Sequence, residues 1–172
     1  SQAGSAAAPT AGLHFTPDIL RSLSAKGVEI VEVTLDVSLD TFRPVQVENL
    51  DDHVMHGETC RISEEAAERL NSATGRIIAV GTTAVRTLET FSVGHRRVGS
   101  GQALSRLFIR PGFKFQVVSG MFTNFHMPKT TMMLMISAMA GREAIMRAYQ
   151  EAVKEEYRFL SFGDSMLLLD PQ

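Results

Sequence analysis

Two histidines, a glutamate and a cysteine fall within eight residues of the stretch LDDHVMHGETC, Leu50 to Cys60. His53, His56, Glu58 and Cys60 are all metal-ligand types, so a metal centre is the first chemistry to weigh. Zinc needs three or four converging ligands, and helical sites take two of them from histidines at i and i+4. Here the histidines stand at i and i+3, with Gly57 behind them, and no second His/Cys cluster completes a ligand set. On a strand, His53 and His56 point to opposite faces while His56 and Glu58 share one. The spacing therefore argues against metal. Two readings stand ahead of it: histidines paired with carboxylates on a loop, or a substrate-contacting loop in which Glu58 serves as base or hydroxyl acceptor.

Three other stretches carry polar groups in useful places. In AVGTTAVR, an apolar run ends in Gly81-Thr82-Thr83 at a helix start, with Arg86 one turn further on. Such a turn offers free backbone N–H groups and hydroxyls beyond the carboxyl end of a strand, where open α/β sheets bind ligands. The plain alternative is N-capping by Thr82 or Thr83. In TNFHMPKTTMMLMISAMAG, Thr123, Asn124 and His126 precede Pro128 and a Met-rich run. That run reads as core, while the polar triplet suits a base or ribose edge. In AAAPTAGLHFT, small residues permit close backbone approach to a ligand, and His14 sits between Leu13 and Phe15, as a half-buried, satisfied histidine also would.

The elements that must position these groups follow from local signals. Thr16 and Pro17 start a helix over Pro17 to Ala25, and Gly27 ends it. Val31 to Val37 alternates as a half-buried strand. Ser63 caps a helix with glutamates in its first turn, stopped by Gly75. Ile77 to Val80 is wholly apolar, as expected of a strand covered on both faces. Gly94 to Gly101 reads as a glycine-rich loop, and Leu104 to Ile109 and Phe113 to Val118 as strands around Pro111-Gly112. Thr130 to Ala140 and Glu143 to Tyr157 read as helices separated by Gly141. The tail FLSFGDSMLLL reads as a last strand interrupted at Gly163-Asp164. Strand, helix and strand in succession give an α/β layer architecture, a mixed or parallel sheet flanked by helices.

With 172 residues and 44% apolar composition, the chain is about one domain in size and has enough apolar surface for a core. A single α/β domain over residues 1–172 is the expectation. Net charge is −2, but all nineteen acids lie outside the 53 residues from Thr90 to Arg142. That stretch holds Arg96, Arg97, Arg106, Arg110, Lys114, Lys129 and Arg142. It suggests either a face turned toward phosphate or scattered solvated charge. Cys60 is the sole cysteine, which excludes a disulfide framework and fits a reducing cytoplasm. No apolar run approaches the roughly 20 residues of a membrane span. The start at Ser1, without methionine, reads as an internal segment of something longer or a processed or recombinant end.

GSAAAPTAGLHFT, TFRPV, HVMHGE, AVGTTAVRTLE, LFIRPGFKF, TNFHMPKTTMMLMISAMAG and YRFLSFGDSMLL occur in a familiar order. In that order the chain resembles the S-adenosylmethionine:tRNA ribosyltransferase-isomerase family of queuosine biosynthesis over nearly its whole length. The resemblance implies an enzyme that moves the ribosyl group of S-adenosylmethionine, its co-substrate, onto the aminomethyl-deazaguanine wobble base of tRNA. Adenine and methionine leave, epoxyqueuosine forms, and no metal is expected. It also implies that His53, His56 and Glu58 are active-site loop residues, with His56 and Glu58 handling protons. Thr82, Thr83, Arg86, Thr123, Asn124, His126, His14 and Asp164 become candidates for binding the nucleoside substrate. Arg96, Arg97 and Arg110 become candidates for tRNA phosphates.

Relative to that family, an N-terminal part of the α/β domain and an inserted β-barrel domain are missing, so the missing half is an implied partner. Ser38 and Asp40 stand where glycines are usual, and Ser119 where an acid is usual. A non-catalytic tRNA-binding remnant is the first rival. The second is a methyltransferase using the same co-substrate, whose glycine-rich turn and following strand-end acid cannot be placed in this chain.

Overall fold

The computed structural model describes residues 8–37, 47 and 49–169. Ser38, Asp40, the TFRPV stretch and the first residues of GSAAAPTAGLHFT lie outside these. A 3-10 turn, Thr10–His14, opens the described chain. Helix α1, Pro17–Ala25, follows, with Thr16 Oγ1 accepting the Ile19 N–H at 3.3 Å. The alternating segment after it yields a strand, β1, of only Thr34–Leu35. Val31 and Val33 still face the core, so alternation sets the facing of this segment but pairing stops short. Strand β2 is Glu58–Ile62. Helix α2, Glu64–Ser72, is capped by Ser63 Oγ on the Ala66 N–H at 3.1 Å. Strand β3, Ile78–Val80, leads through Gly81 into helix α3, Thr82–Thr90.

The glycine-rich loop contains a small hairpin, β4 (Ser92–Gly94) and β5 (Arg97–Val98). Strand β6 is Gly101–Ser105 and strand β7 is Gly120–Asn124. Helix α4, Thr131–Ala140, starts at Thr130, whose Oγ1 accepts the Met133 N–H at 3.2 Å. Helix α5 is Arg142–Lys154, shorter than expected at its end, and strand β8 is Ser165–Leu169.

Among the described residues the strands form two three-stranded sheets besides the hairpin. One is antiparallel, in the order β1-β2-β6. The other is mixed, β3-β7-β8, with β3 and β7 parallel and β8 antiparallel to β7. In the mixed sheet Ala79, Met121 and Leu168 stand in register, all buried, on the face against which α4 packs. The row beside it, Ile78, Gly120 and Leu169, lies on the other face. Gly120 is required there, because a Cβ would stand 2.7 Å from the Leu168 carbonyl and 2.9 Å from Ile78 Cδ1. Ile78 is 38% exposed, so β3 is not covered on both faces as its apolar run suggested.

Two expected strands are absent as such. Leu104 to Ile109 is strand only to Ser105, and residues 113–118 form none. Their backbone goes elsewhere. Glu89, near the end of α3, accepts the N–H groups of Gln116, Val117 and Val118, each at 3.0 Å. The alternating Phe113, Phe115 and Val117 therefore pack on the core without a ladder partner. The strand that runs through the mixed sheet is instead Gly120–Asn124, whose glycine and asparagine disguise it. Among the described residues no helix is long and apolar enough to cross a membrane.

Candidate active site

β3 and β7 are parallel, so Gly81 and Asn124 mark the same, carboxyl, end of the sheet. Most of the polar candidates gather around this end. Gly81 is the N-cap of α3 with φ 90° and ψ 153°, a backbone that favours glycine. The consequence is local: a glycine cap has no side chain, and none caps the first-turn N–H groups of α3. Neither Thr82 nor Thr83 is the cap that the sequence allowed.

Arg86 projects from this helix into a buried ion pair with Glu58, Nη1 to Oε2, at 2.6 Å. The two residues are 5% and 2% exposed. Burial pulls the guanidinium below its usual value, and the nearby Glu58 carboxylate offsets part of that. Glu58 is the first residue of β2, so it is a strand residue and not the loop residue the resemblance implied. Glu58, Cys60 and Ile62 share the buried face of β2. Cys60 is thereby sealed in, its thiol pushed up by burial, with Sγ 3.5 Å from the Ala103 carbonyl. Among the described residues no group of three or more His, Cys, Asp or Glu could hold a metal ion.

A pocket opens beside the pair. Thr82, Thr83 and Arg86 line one side, Met55 and the segment Leu107, Phe108, Ile109 another, and Thr131, Met132 and Met135 of α4 a third. Met55 comes from HVMHGE, Phe108 from LFIRPG, and the α4 residues from the Met-rich stretch. His53 packs its ring on Phe108 at 4.9 Å, while His56 is exposed beyond it. Phe108 and the methionines were not candidates from sequence. An apolar residue beside a polar motif carries no local mark of lining a cavity.

The second cluster lies at the end of β7. Asn124, 4% exposed, has Nδ2 3.2 Å from His14 Nε2 and Oδ1 3.4 Å from Thr10 Oγ1. Its Nδ2 also faces the carbonyls of Gly163 and Asp164, each at 3.4 Å. The Asp164 carboxylate turns away to the Arg158 N–H at 2.7 Å, and that bond, with the Arg158 side chain, holds it below its usual value. Thr123 and His126 pair at 2.8 Å, with burial lowering His126 to about 4. Thr123 and Asn124 are thus strand residues rather than a polar loop ahead of a helix. The Gly81 N–H donates to the Phe122 carbonyl at 2.8 Å, linking the two clusters.

The arginine candidates divide. Arg97 is exposed on β5. Arg96 spends its guanidinium on the Ala73 carbonyl, at 3.2 Å, and the Gly75 carbonyl, and so fastens the hairpin to the end of α2. Arg110 pairs with Asp51 and stands over Phe108. The acid-free stretch also includes β6, β7 and α4, so it is not one solvated face. Ser119, where an acid was expected, sits before β7, at the opposite end from the site, with Oγ 3.4 Å from the Ile77 N.

A model of the queuosine biosynthesis protein family matches residues 1–168. A curated protein of Desulfitobacterium hafniense, named S-adenosylmethionine:tRNA ribosyltransferase-isomerase, is 53% identical over 171 residues. One of the same name from Desulforamulus reducens is 54% identical over 171 residues. Each alignment covers 98% of this chain and 50% of the relative, so the chain spans about half the length of these relatives. The crystal structure of a Thermotoga maritima S-adenosylmethionine tRNA ribosyltransferase superposes with a TM-score of 0.72 at 40% identity. It covers 92% of this chain and 51% of that one.

Proposed function

Because the chain belongs to the queuosine biosynthesis protein family, we propose that it carries part of the active site of a tRNA ribosyltransferase-isomerase. The substrates are S-adenosylmethionine, as ribosyl donor, and tRNA bearing an aminomethyl-deazaguanine wobble base. The products are epoxyqueuosine in tRNA, adenine and methionine, and the setting is the cytoplasm. One observation carries this most: the buried Glu58–Arg86 pair at 2.6 Å. It joins the HVMHGE segment to the open start of α3, at the carboxyl end of a parallel strand pair, where α/β folds place ligands.

In this assignment Glu58, at the buried end of its segment, removes or relays a proton beside the sulfonium, and His56 and His53 lie on the solvent side of it. The thioether and phenyl wall of Met55, Phe108, Met132 and Met135 suits a flat ring, since such groups are polarizable and adapt their shape. Thr82 and Thr83 offer hydroxyls to the nucleoside. The cluster of His14, Thr123, Asn124, His126 and Asp164 supports the same edge of the sheet. Exposed Arg97 is the group offered to tRNA phosphate, while Arg96 and Arg110, also assigned to tRNA, stand at separate places, tied to the Ala73 carbonyl and to Asp51.

The test uses this sequence joined to, or supplied in trans with, the half of the relatives' length that it does not span. Release of adenine and methionine that depends on the modified tRNA is the expected result. Glu58→Gln lowers the rate by roughly 100-fold or more if Glu58 moves a proton, the usual scale for a positioned base. A loss confined to binding assigns Glu58 to a ribose hydroxyl instead. S-adenosylhomocysteine in place of adenine refutes ribosyl transfer in favour of methyl transfer. Tight tRNA binding without turnover leaves a non-catalytic remnant.

A further inference from the structure

Arg86 uses one terminal nitrogen, Nη1, for Glu58. Its other two donor nitrogens, Nε and Nη2, are buried and have no hydrogen-bond partner among the described residues. The side chain is 6% exposed, so water does not substitute freely. Buried guanidinium donors left unmade are costly, and native proteins keep them for a ligand or leave very few. These two nitrogens lie on one edge of the planar group. That edge delivers two parallel N–H bonds and matches the two oxygens of a carboxylate or phosphate.

The surroundings favour the same occupant independently. Arg86 lines the pocket together with Thr82 and Thr83 at the start of α3, a nine-residue helix. Its first-turn N–H groups have no side-chain cap, and the helix dipole favours negative charge there. Glu58 already occupies Nη1, so it fixes the plane of the guanidinium and leaves the Nε/Nη2 edge unengaged.

We propose that the Arg86 end of the pocket is an oxyanion subsite, taking a carboxylate or phosphate group in bidentate fashion on Nε and Nη2 of Arg86. With the functional assignment above, on which the identity of the ligand rests, two sources offer that chemistry. One is the amino-acid carboxylate of S-adenosylmethionine, the other a backbone phosphate of the tRNA.

The first measurement needs no variant and no assumption about function. The Arg86 Nε–H resonance of the wild-type protein is followed by NMR during titration with inorganic phosphate and, separately, acetate. A saturable shift is expected; a resonance that stays in place throughout both titrations overturns the subsite. The second measurement identifies the source. If the carboxylate is the ligand, S-adenosylmethionine binds roughly tenfold or more tightly than its decarboxylated analogue, and Arg86→Lys abolishes that preference. If the phosphate is the ligand, Arg86→Lys keeps any such preference but weakens an anticodon stem-loop roughly tenfold or more, with its log–log salt slope little changed because the charge is retained. A folded Arg86→Lys protein unchanged toward both ligands refutes the proposal and leaves Arg86 as a structural ion-pair partner. Wild-type protein that binds neither ligand counts against the functional assignment, and the phosphate and acetate titrations then decide the subsite alone.

Discussion

Glu89 is the residue whose replacement should cost the fold most for the least change in surface. The residue is 7% exposed, and its carboxylate has no cation beside it among the ion pairs of the described residues. Instead it takes three backbone N–H groups, Val117 and Val118 on Oε1 and Gln116 on Oε2, each at 3.0 Å. Hydrogen bonds to a charged group contribute about 1.5–3 kcal/mol each, and three sharing one carboxylate do not add in full. Glu89→Ala leaves two buried donors and a third partly buried one without acceptors, so a loss of about 3–5 kcal/mol is expected. Glu89→Gln keeps an oxygen for Val117 and Val118 but sets an NH₂ against the Gln116 N–H. That variant should lose about 1–2 kcal/mol. Urea unfolding supplies the test, read as a shift of midpoint at constant slope. Amide exchange at Val117 and Val118 should speed up well ahead of that at Met121. If Ala and Gln variants agree within about 0.5 kcal/mol of wild type, the carboxylate is not what replaces the missing ladder.

His126 binds its proton more weakly folded than unfolded, with a value near 4 against the usual 6.5. Its contribution to stability is therefore complete above pH 6.5 and lost as pH falls toward 4, by at most about 3 kcal/mol. An NMR midpoint near 6.5 for His126, or a urea midpoint constant across that window, refutes this. Gly163→Ala places a methyl against the Arg158 and Phe159 carbonyl oxygens of the turn before β8. It should destabilise by about 1–3 kcal/mol, and an unchanged melting temperature would show that the turn can open without cost.

Helix starts were the most readable part of the sequence. Thr16 and Ser63 each accept the N–H that capping chemistry assigns them, because a cap is settled within four residues. Strand pairing is not local, and alternation within a segment does not fix it. Residues 113–118 alternate like a strand, yet a single carboxylate more than twenty positions away claims the N–H groups of the last three. Gly120–Asn124 has poor strand formers at both ends but lies between two partners that hold it. The site divides in the same way. Its polar members stood out by type, and the order of motifs grouped them. The pairing of Glu58 with Arg86 needed the two sheets brought together, and the apolar wall carried no signal at all. Arg96 shows the converse: a basic residue in a basic stretch reads as free, but its positive φ of 56° and two carbonyl acceptors make it a brace.

The methionine wall has a chemical consequence of its own. Met55 and Met132 are half-buried at the pocket, and Met135 lies behind them at 3% exposure. Peroxide turns a thioether into a sulfoxide, which is polar, chiral and a far better acceptor. At Met55 or Met132 that oxygen would sit in the cavity that Arg86 lines and would compete with the proposed ligand for that side chain. The pocket is thus the place where oxidative damage and ligand occupancy meet. A methionine sulfoxide reductase would restore it, and a bound ligand would shield it while the rest of the fold stays intact.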